Sequence, residues 1–177
     1  SLAIETLLDP TLKNRPIALA SPFLKGARIA ECSDEAKEQG VSKGMLLSQA
    51  ELMCSGIKVI RPREELYQKV ASQIEQDIQK LIPAFEREKK GKGFIDYTGF
   101  ESVYGNPEDF HCELREKIEY RYCLRPDIGI SCNKLVSKIA AKSLQHVSHQ
   151  SIGLVTKGEA KEFLAPLPVE FLPIISE

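Results

Sequence analysis

A long amphipathic segment from Leu66 to Leu81 constrains the fold more than any other part of the sequence. Its apolar residues recur at steps of three and four, which predicts a helix with one stripe packed against a core. The stripe consists of Leu66, Val70, Ile74, Ile78 and Leu81, and Pro83 ends the helix. Because such a helix has to bury its stripe, a sheet covered on one face by long helices is the economical solution.

Short strands and helices alternate along the rest of the chain. Apolar runs and period-two patterns predict strands at residues 16–20, 25–31, 57–60, 94–98, 128–131 and 152–155. Cap residues and periodic apolar positions predict helices at residues 2–8, 33–40, 48–54, 107–118, 134–144 and 158–164. Ser33, Asn106 and Asn133 are the expected N-caps. The pattern indicates an α/β or α+β protein.

Composition and charge exclude several classes of function. The 177 residues carry 24 basic and 25 acidic side chains, so a strongly basic nucleic-acid coat and a polybasic membrane anchor are excluded. No apolar run approaches the roughly 18 residues of a membrane span. Because the chain begins at Ser1 within a predicted helix, we expect a piece of a longer protein. The five cysteines form no C-x-x-C pair, which favours reduced thiols in a cytoplasmic protein over a zinc ribbon.

Three lysines define a basic stripe on the predicted helix 134–144. Lys134, Lys138 and Lys142 are spaced at i, i+4 and i+8, whereas Leu135 and Ile139 are expected to face the core. Three aligned cations repel one another, and the first two lie near the positive end of the helix. A bound anion such as phosphate would explain the arrangement. A solvated lysine face is the alternative.

Two other polar motifs favour structural interpretations. His146 and His149 have no cysteine or carboxylate at ligand spacing, so they are expected to be surface histidines. Residues 89–93 contain the lysines and glycines of a phosphate loop, but they precede a strand rather than a helix. They therefore predict a tight hairpin turn.

Several segments, in order and spacing, resemble the fingers and palm of the Y-family translesion DNA polymerases (the DinB/UmuC, or ImpB/MucB/SamB, family). Residues 129–140, G-I-S-C-N-K-L-V-S-K-I-A, are similar to the family pattern G-I-S-x-N-K-x-x-A-K-I-A. The other matching segments are Ala3 to Glu5, Asp9 to Leu19, Ser33 to Met45, Glu64 to Ile78 and Phe163 to Val169. Together they cover essentially the whole chain.

The resemblance implies an α+β right-hand polymerase palm, with a mixed or antiparallel sheet that carries helices on one face. It places the palm at residues 1–20 and 63–165, a small fingers insertion at residues 21–62 and the start of the thumb at residues 166–177. The remainder of the thumb and the little finger are then expected to be absent from this chain.

The resemblance also implies a departure at the catalytic site. Family members hold two divalent cations on carboxylates, because hard cations prefer anionic oxygen ligands. When residues 94–98 are aligned with the family's Y-L-D-V-T, Gly91 and Lys92 fall at the neighbouring Asp and Glu ligand positions. The first-strand ligand would lie upstream of Ser1. No metal site and no catalytic residue are therefore expected, and Mg²⁺ would be a cofactor only of an active polymerase.

The resemblance also implies weaker contacts with the incoming nucleotide. Asp34 and Lys37 correspond to the family's Tyr and Arg that contact the incoming triphosphate, and Lys138 corresponds to its phosphate-contacting lysine. Lys37 keeps the charge but loses the bidentate geometry of arginine. The candidate phosphate-binding residues are Lys138, Lys37, Lys134 and Lys142.

Three functions are compatible with these features. The leading hypothesis is a non-catalytic homologue, similar to the ImuB-type accessory proteins, that works in bacterial DNA-damage tolerance and the SOS response. Its partners would be DNA, bound weakly, and replication proteins such as a polymerase, a sliding clamp or a RecA-like factor. The first alternative is an active error-prone polymerase, whose ligands lie outside this chain or whose hairpin register is other than the one aligned above. Its candidate substitute ligands are Glu86, Glu88 and Asp96. The second is a protein-interaction module without DNA contact.

Overall fold

The computed structural model describes residues 1–22, 25–89, 91–144 and 152–168. The chain forms two compact units, residues 1–73 and residues 74–177. Among the described residues, no helix is both long enough and apolar enough to cross a membrane.

The first unit is built around a small mixed sheet. Strand β1 (Ile17–Leu19) lies between β2 (Glu31–Cys32), which is antiparallel to it, and β3 (Lys58–Ile60), which is parallel. Helices α1 (Leu2–Leu8), α2 (Asp34–Glu38) and α3 (Leu47–Met53) belong to this unit, and a 3₁₀ turn at Pro10–Leu12 follows α1. The buried core residues are Ala18, Ala20, Ile29, Cys32, Ala36, Val41, Leu47, Ala50 and Cys54.

The long helix α4 (Glu64–Leu81) begins in the first unit and ends in the second. It is the helix that the apolar stripe predicts. In the second unit, Ile74, Ile78 and Leu81 pack against a core formed by Ile82, Phe110, Leu114 and Ile118. Helix α6 (Pro107–Tyr122) supplies three of these core residues, with Asn106 as its N-cap.

The second unit contains two separate strand pairs. Strands β4 (Phe85–Lys89) and β5 (Lys92–Ile95) form an antiparallel hairpin, which the short helix α5 (Glu101–Tyr104) follows in the chain. Strands β6 (Ile128–Ser131) and β7 (Ile152–Val155) are parallel, with Gly129 opposite Gly153. Helix α7 (Lys134–Ser143) connects to β6 and packs against it, and helix α8 (Ala160–Leu164) ends the described elements.

The α+β class is confirmed, and most predicted elements lie within two residues of the observed ones. The division into palm, fingers and start of thumb stays a prediction. The predicted strand at residues 25–31 is wrong: Arg28 forms only an isolated bridge with Leu46, and the strand begins at Glu31. Strand β5 also ends earlier than predicted, because the Asp96 carboxylate accepts a hydrogen bond from the Thr98 amide and turns the chain.

One face of α7 was predicted incorrectly. Leu135 is 39% exposed, whereas Val136, Ile139 and Ala140 are buried. These three residues form the i, i+3, i+4 stripe of the helix, and Val136 and Ala140 pack against Val155 of β7. Leu135 therefore lies at the edge of the buried face. His146 and His149 lie outside the described residues.

The N-cap of α7 provides a direct test of this local structure. The Asn133 side chain accepts a hydrogen bond from the Val136 amide at 2.9 Å. We expect Asn133→Ala to lower the free energy of unfolding by about 1 kcal/mol, because an amide at the helix start loses its acceptor. Urea denaturation measures the change. Asn133→Ser keeps an acceptor and should retain most of the stability, and an equal loss in both variants would contradict the cap.

Candidate nucleotide-binding surface on a hairpin and a helix

The hairpin that corresponds to the family's metal-binding segment contains a register shift before its turn. Phe85 pairs with Ile95 and Glu86 pairs with Phe94, and the register shifts between Arg87 and Lys89. Gly91 has a φ of +66°, a left-handed conformation that glycine adopts without the steric cost of a Cβ. Lys89 pairs with Lys92, so the described residues of the range 89–93 agree with the predicted turn, and Lys90 lies outside the described residues.

Alternation along β4 directs its charges to two different helices. Glu86 and Glu88 form ion pairs with Lys134 and Lys138 of α7, whereas Arg87 pairs with Glu75 of α4. Residues two apart on a strand are about 6.8 Å apart, and residues four apart on a helix are about 6 Å apart along its axis. The two carboxylates therefore match the spacing of the two lysines.

The two lysine–glutamate pairs differ in their exposure to solvent. The Lys138 Nζ lies 2.5 Å from Glu88 Oε1, and these side chains are 32% and 25% exposed. The Lys134–Glu86 pair is more than half exposed, and the Lys134 Nζ also lies 5.4 Å from the centre of the Phe94 ring. The Lys138–Glu88 pair (the inner pair) is therefore less screened by water and ions than the Lys134–Glu86 pair (the outer pair).

Glu75 holds the turn of the hairpin from the other side. It is 9% exposed, its Oε2 lies 3.3 Å from the Arg87 Nε, and its Oε1 accepts a hydrogen bond from the Gly91 amide at 3.4 Å. A buried carboxylate needs such partners to offset the loss of hydration. Glu75 thus contacts the residue at which the family alignment expects a metal-binding aspartate.

The other candidate phosphate-binding lysines are also engaged. Lys37 lies in the first unit and donates a hydrogen bond to Asp34 of the same helix at 2.6 Å. This hydrogen bond raises the pKa of Lys37, so the ammonium form is favoured. Lys142 has an interaction partner as well. The structure brings Lys134 and Lys138 against the hairpin, and it places Lys37 in the other unit.

The residues around the turn do not fit the divalent cations of the family. Gly91 has no side-chain oxygen, Lys92 is a cation, and Glu86 and Glu88 are neutralised by lysines. Asp96, the other proposed substitute, accepts hydrogen bonds from Thr98, and these hold the pKa of its carboxyl below the ordinary value. Within the described ranges, no group of three or more His, Cys, Asp or Glu residues could hold a metal ion.

Sequence reasoning missed Glu75, Arg87 and the role of the strand carboxylates. The alternation E-R-E at residues 86–88 was the available signal, because successive side chains on a strand point to opposite faces. Glu75 follows Ala71 by four residues and precedes Ile78 by three, so it shares a face with apolar positions. A charged residue on such a face indicates a buried partner.

Comparison with solved structures defines the class of protein to which this fold belongs. The chain superimposes on DinB from Sulfolobus solfataricus with a TM-score of 0.82 at 21% sequence identity, over 96% of this chain and 49% of that one. An insertion ternary complex of Dbh DNA polymerase gives a TM-score of 0.81 at 22% identity, over 96% of this chain and 50% of that one. The fold is that of the palm and fingers of Y-family DNA polymerases.

The sequence places the chain within this class. The profile of the impB/mucB/samB family matches residues 2–142, and the chain belongs to that family. DNA polymerase IV of Dehalococcoides mccartyi is 27% identical over 99% of this chain and 44% of its own length. DNA polymerase IV 2 of Bacillus subtilis is 28% identical over 94% of this chain and 41% of its own length. The chain thus spans less than half the length of these curated relatives.

Proposed function

We propose that this chain is the palm and fingers region of a non-catalytic Y-family homologue, which acts in DNA-damage tolerance as an accessory or scaffolding factor similar to the ImuB-type proteins. The observation that carries the proposal is the turn of the β4–β5 hairpin. In the family alignment Gly91 and Lys92 stand where two carboxylates are needed, and the nearest strand carboxylates are paired with lysines.

Electrostatics support the loss of catalysis. In phosphoryl transfer, divalent cations stabilise the attacking and leaving oxygens of the phosphate. The protein has to bind these cations through several carboxylates. At this turn the ammonium of Lys92 would repel the cation, and Glu75 is paired with Arg87. The proposed role therefore depends on the shape of the fold and on its surfaces rather than on phosphoryl transfer.

An active error-prone polymerase is the second candidate, and the names of the relatives favour it. Proteins that match almost all of this chain are called DNA polymerase IV. This chain covers less than half of their length, so ligands of such an enzyme could also lie outside the residues described here. Mg²⁺ belongs to this candidate and not to the first.

Primer extension distinguishes the two candidates. We expect the purified full-length protein to give no templated extension of a primer with Mg²⁺ or Mn²⁺, because Gly91 and Lys92 replace the family's carboxylate ligands and Glu86 and Glu88 are paired with lysines. A DNA polymerase IV assayed in parallel serves as the positive control. Templated synthesis that disappears when Glu86, Glu88 and Asp96 are replaced together by alanine, but persists in the surface variant Lys157→Ala, would overturn the proposal and support the polymerase.

The accessory role also predicts a phenotype in cells. Loss of the protein should lower survival or damage-induced mutagenesis after DNA damage, and a variant altered at Gly91 and Lys92 should restore both as well as the wild type. We propose a cytoplasmic location, weak contact with DNA, and partners among replication proteins. If replacing Lys134, Lys138 and Lys142 together leaves DNA affinity unaltered, the chain would instead be a protein-interaction module.

A further inference from the structure

Lys134 and Lys138 of α7 form ion pairs with carboxylates of the chain itself, those of Glu86 and Glu88. We propose that Glu86 and Glu88 act as built-in counter-anions that hold Lys134 and Lys138 and exclude phosphate ligands from this face of the helix. The proposal deepens the proposed function and rests on it, because it names the reason why a polymerase-like lysine surface would bind nucleotide or DNA phosphates weakly.

The geometry makes the pairing specific. The two glutamates alternate with Arg87 on β4, and Arg87 is held on the other side by Glu75 at 3.3 Å. That contact fixes the face of the strand that Glu86 and Glu88 present. Since strand and helix spacings nearly coincide, both pairs form at once.

The inner pair should exclude phosphate more strongly than the outer pair, because it is more buried. The Lys138 and Glu88 side chains are only 32% and 25% exposed, so an external phosphate has to displace a partly desolvated carboxylate. The displaced carboxylate would then face the phosphate as a like charge, which disfavours binding. The outer pair is more exposed, so its contribution should be smaller and more sensitive to salt.

Neutralising Glu88 should therefore create affinity for phosphate. We expect Glu88→Gln to raise the affinity of the full-length protein for inorganic tripolyphosphate at least about fivefold at low salt, and Glu86→Gln to raise it less. An NMR titration that follows the amides of α7, with a chelator present and no metal added, measures the affinity and locates the ligand. Circular dichroism checks that each variant is folded.

The control breaks a more exposed ion pair elsewhere in the chain. Glu113 forms an ion pair with Lys117 at 2.6 Å on α6, so Glu113→Gln makes the same change in net charge and also frees a lysine. The control should leave tripolyphosphate affinity close to that of the wild type. The double variant Glu88→Gln with Lys138→Ala should lose the gain, because the freed ammonium is then missing.

A parallel titration with a single-stranded oligonucleotide identifies the excluded ligand. A gain confined to tripolyphosphate indicates a nucleotide, a gain confined to the oligonucleotide indicates a DNA strand, and either supports the counter-anion role. Equal gains in Glu88→Gln and Glu113→Gln, or no gain with either probe, would overturn it. Because the titration contains neither primer nor metal, its outcome is independent of the primer-extension test of the proposed function.

Discussion

Gly129→Ala is expected to destabilise the second unit by about 3 kcal/mol or more, or to prevent it from folding. A Cβ at Gly129 would lie 1.9 Å from the Ser137 carbonyl oxygen and 2.6 Å from the Ala141 amide nitrogen. Both atoms belong to the backbone of α7, so no side-chain rotation can relieve the overlap. The helix or the strand would have to move, and the core contacts of Val136, Ile139 and Ala140 would be lost.

Gly153 provides a matched control, because it is the residue opposite Gly129 in the β6–β7 pair. A Cβ there would lie 3.4 Å from the Ala140 carbonyl oxygen, close to ordinary contact. Gly153→Ala should therefore change the free energy of unfolding by less than about 1 kcal/mol. Chemical denaturation of both variants measures the contrast. Similar losses at the two positions would show that close approach of α7 to β6 is not the cause.

Glu5→Gln is expected to lower the free energy of unfolding by about 2 kcal/mol at about pH 7. Glu5 is 3% exposed, its Oε1 accepts hydrogen bonds from the Tyr67 hydroxyl at 2.5 Å and the Arg63 Nε at 3.0 Å, and its Oε2 accepts one from the Arg63 Nη2. An amide at this position keeps the volume, but its NH₂ group would face the guanidinium.

The loss should depend on pH. The hydrogen bond from Arg63 holds the pKa of Glu5 below its ordinary value of 4.5, and the bond from Tyr67 adds to this effect against the opposing effect of burial. The carboxylate's contribution to stability is therefore fully present above pH 4.5 and is lost as the pH falls through the depressed pKa. Protonated Glu5 resembles glutamine, so the difference between wild type and Glu5→Gln should be smaller at an acidic pH below 4.5 than at about pH 7.

Denaturant titrations at the two pH values measure this convergence. Glu113→Gln, on an exposed ion pair, should show no measurable loss at either pH. The same network can be followed through Tyr67, since burial and its hydrogen bond to Glu5 raise the pKa of the phenol to about 12. A loss in Glu5→Gln that is equal at both pH values would indicate altered packing instead of a lost charge.

The local elements of this chain could be predicted because their signals lie close together in the sequence. Ser33, Asn106 and Asn133 all cap the helices that were assigned to them, with acceptors placed for amides three residues further on. The stripe of α4 was equally clear. The prediction for Leu135 failed because two overlapping apolar stripes were available on α7, and only the position of β6 and β7 decided between them.

The candidate site was predictable in position but not in its electrostatics. The lysine stripe predicted a nearby anion, and the structure pairs Lys134 and Lys138 with two glutamates on another element, whereas phosphate binding there stays a prediction. Those glutamates were considered as substitute metal ligands, because the sequence shows them near the hairpin turn. Their lysine partners are 48 and 50 residues away along the chain.

The sequence by itself determined the order of elements, their caps and the membership of the family, because these depend on residues within a few positions of one another or on an ordered set of motifs. The tertiary structure alone decided which carboxylates meet which lysines, why Gly129 has to be glycine and how Glu5 and Glu75 are held. The physical reason is distance. Each of these contacts joins groups that lie on different elements. Their burial and charge affect stability only when packing brings those elements together.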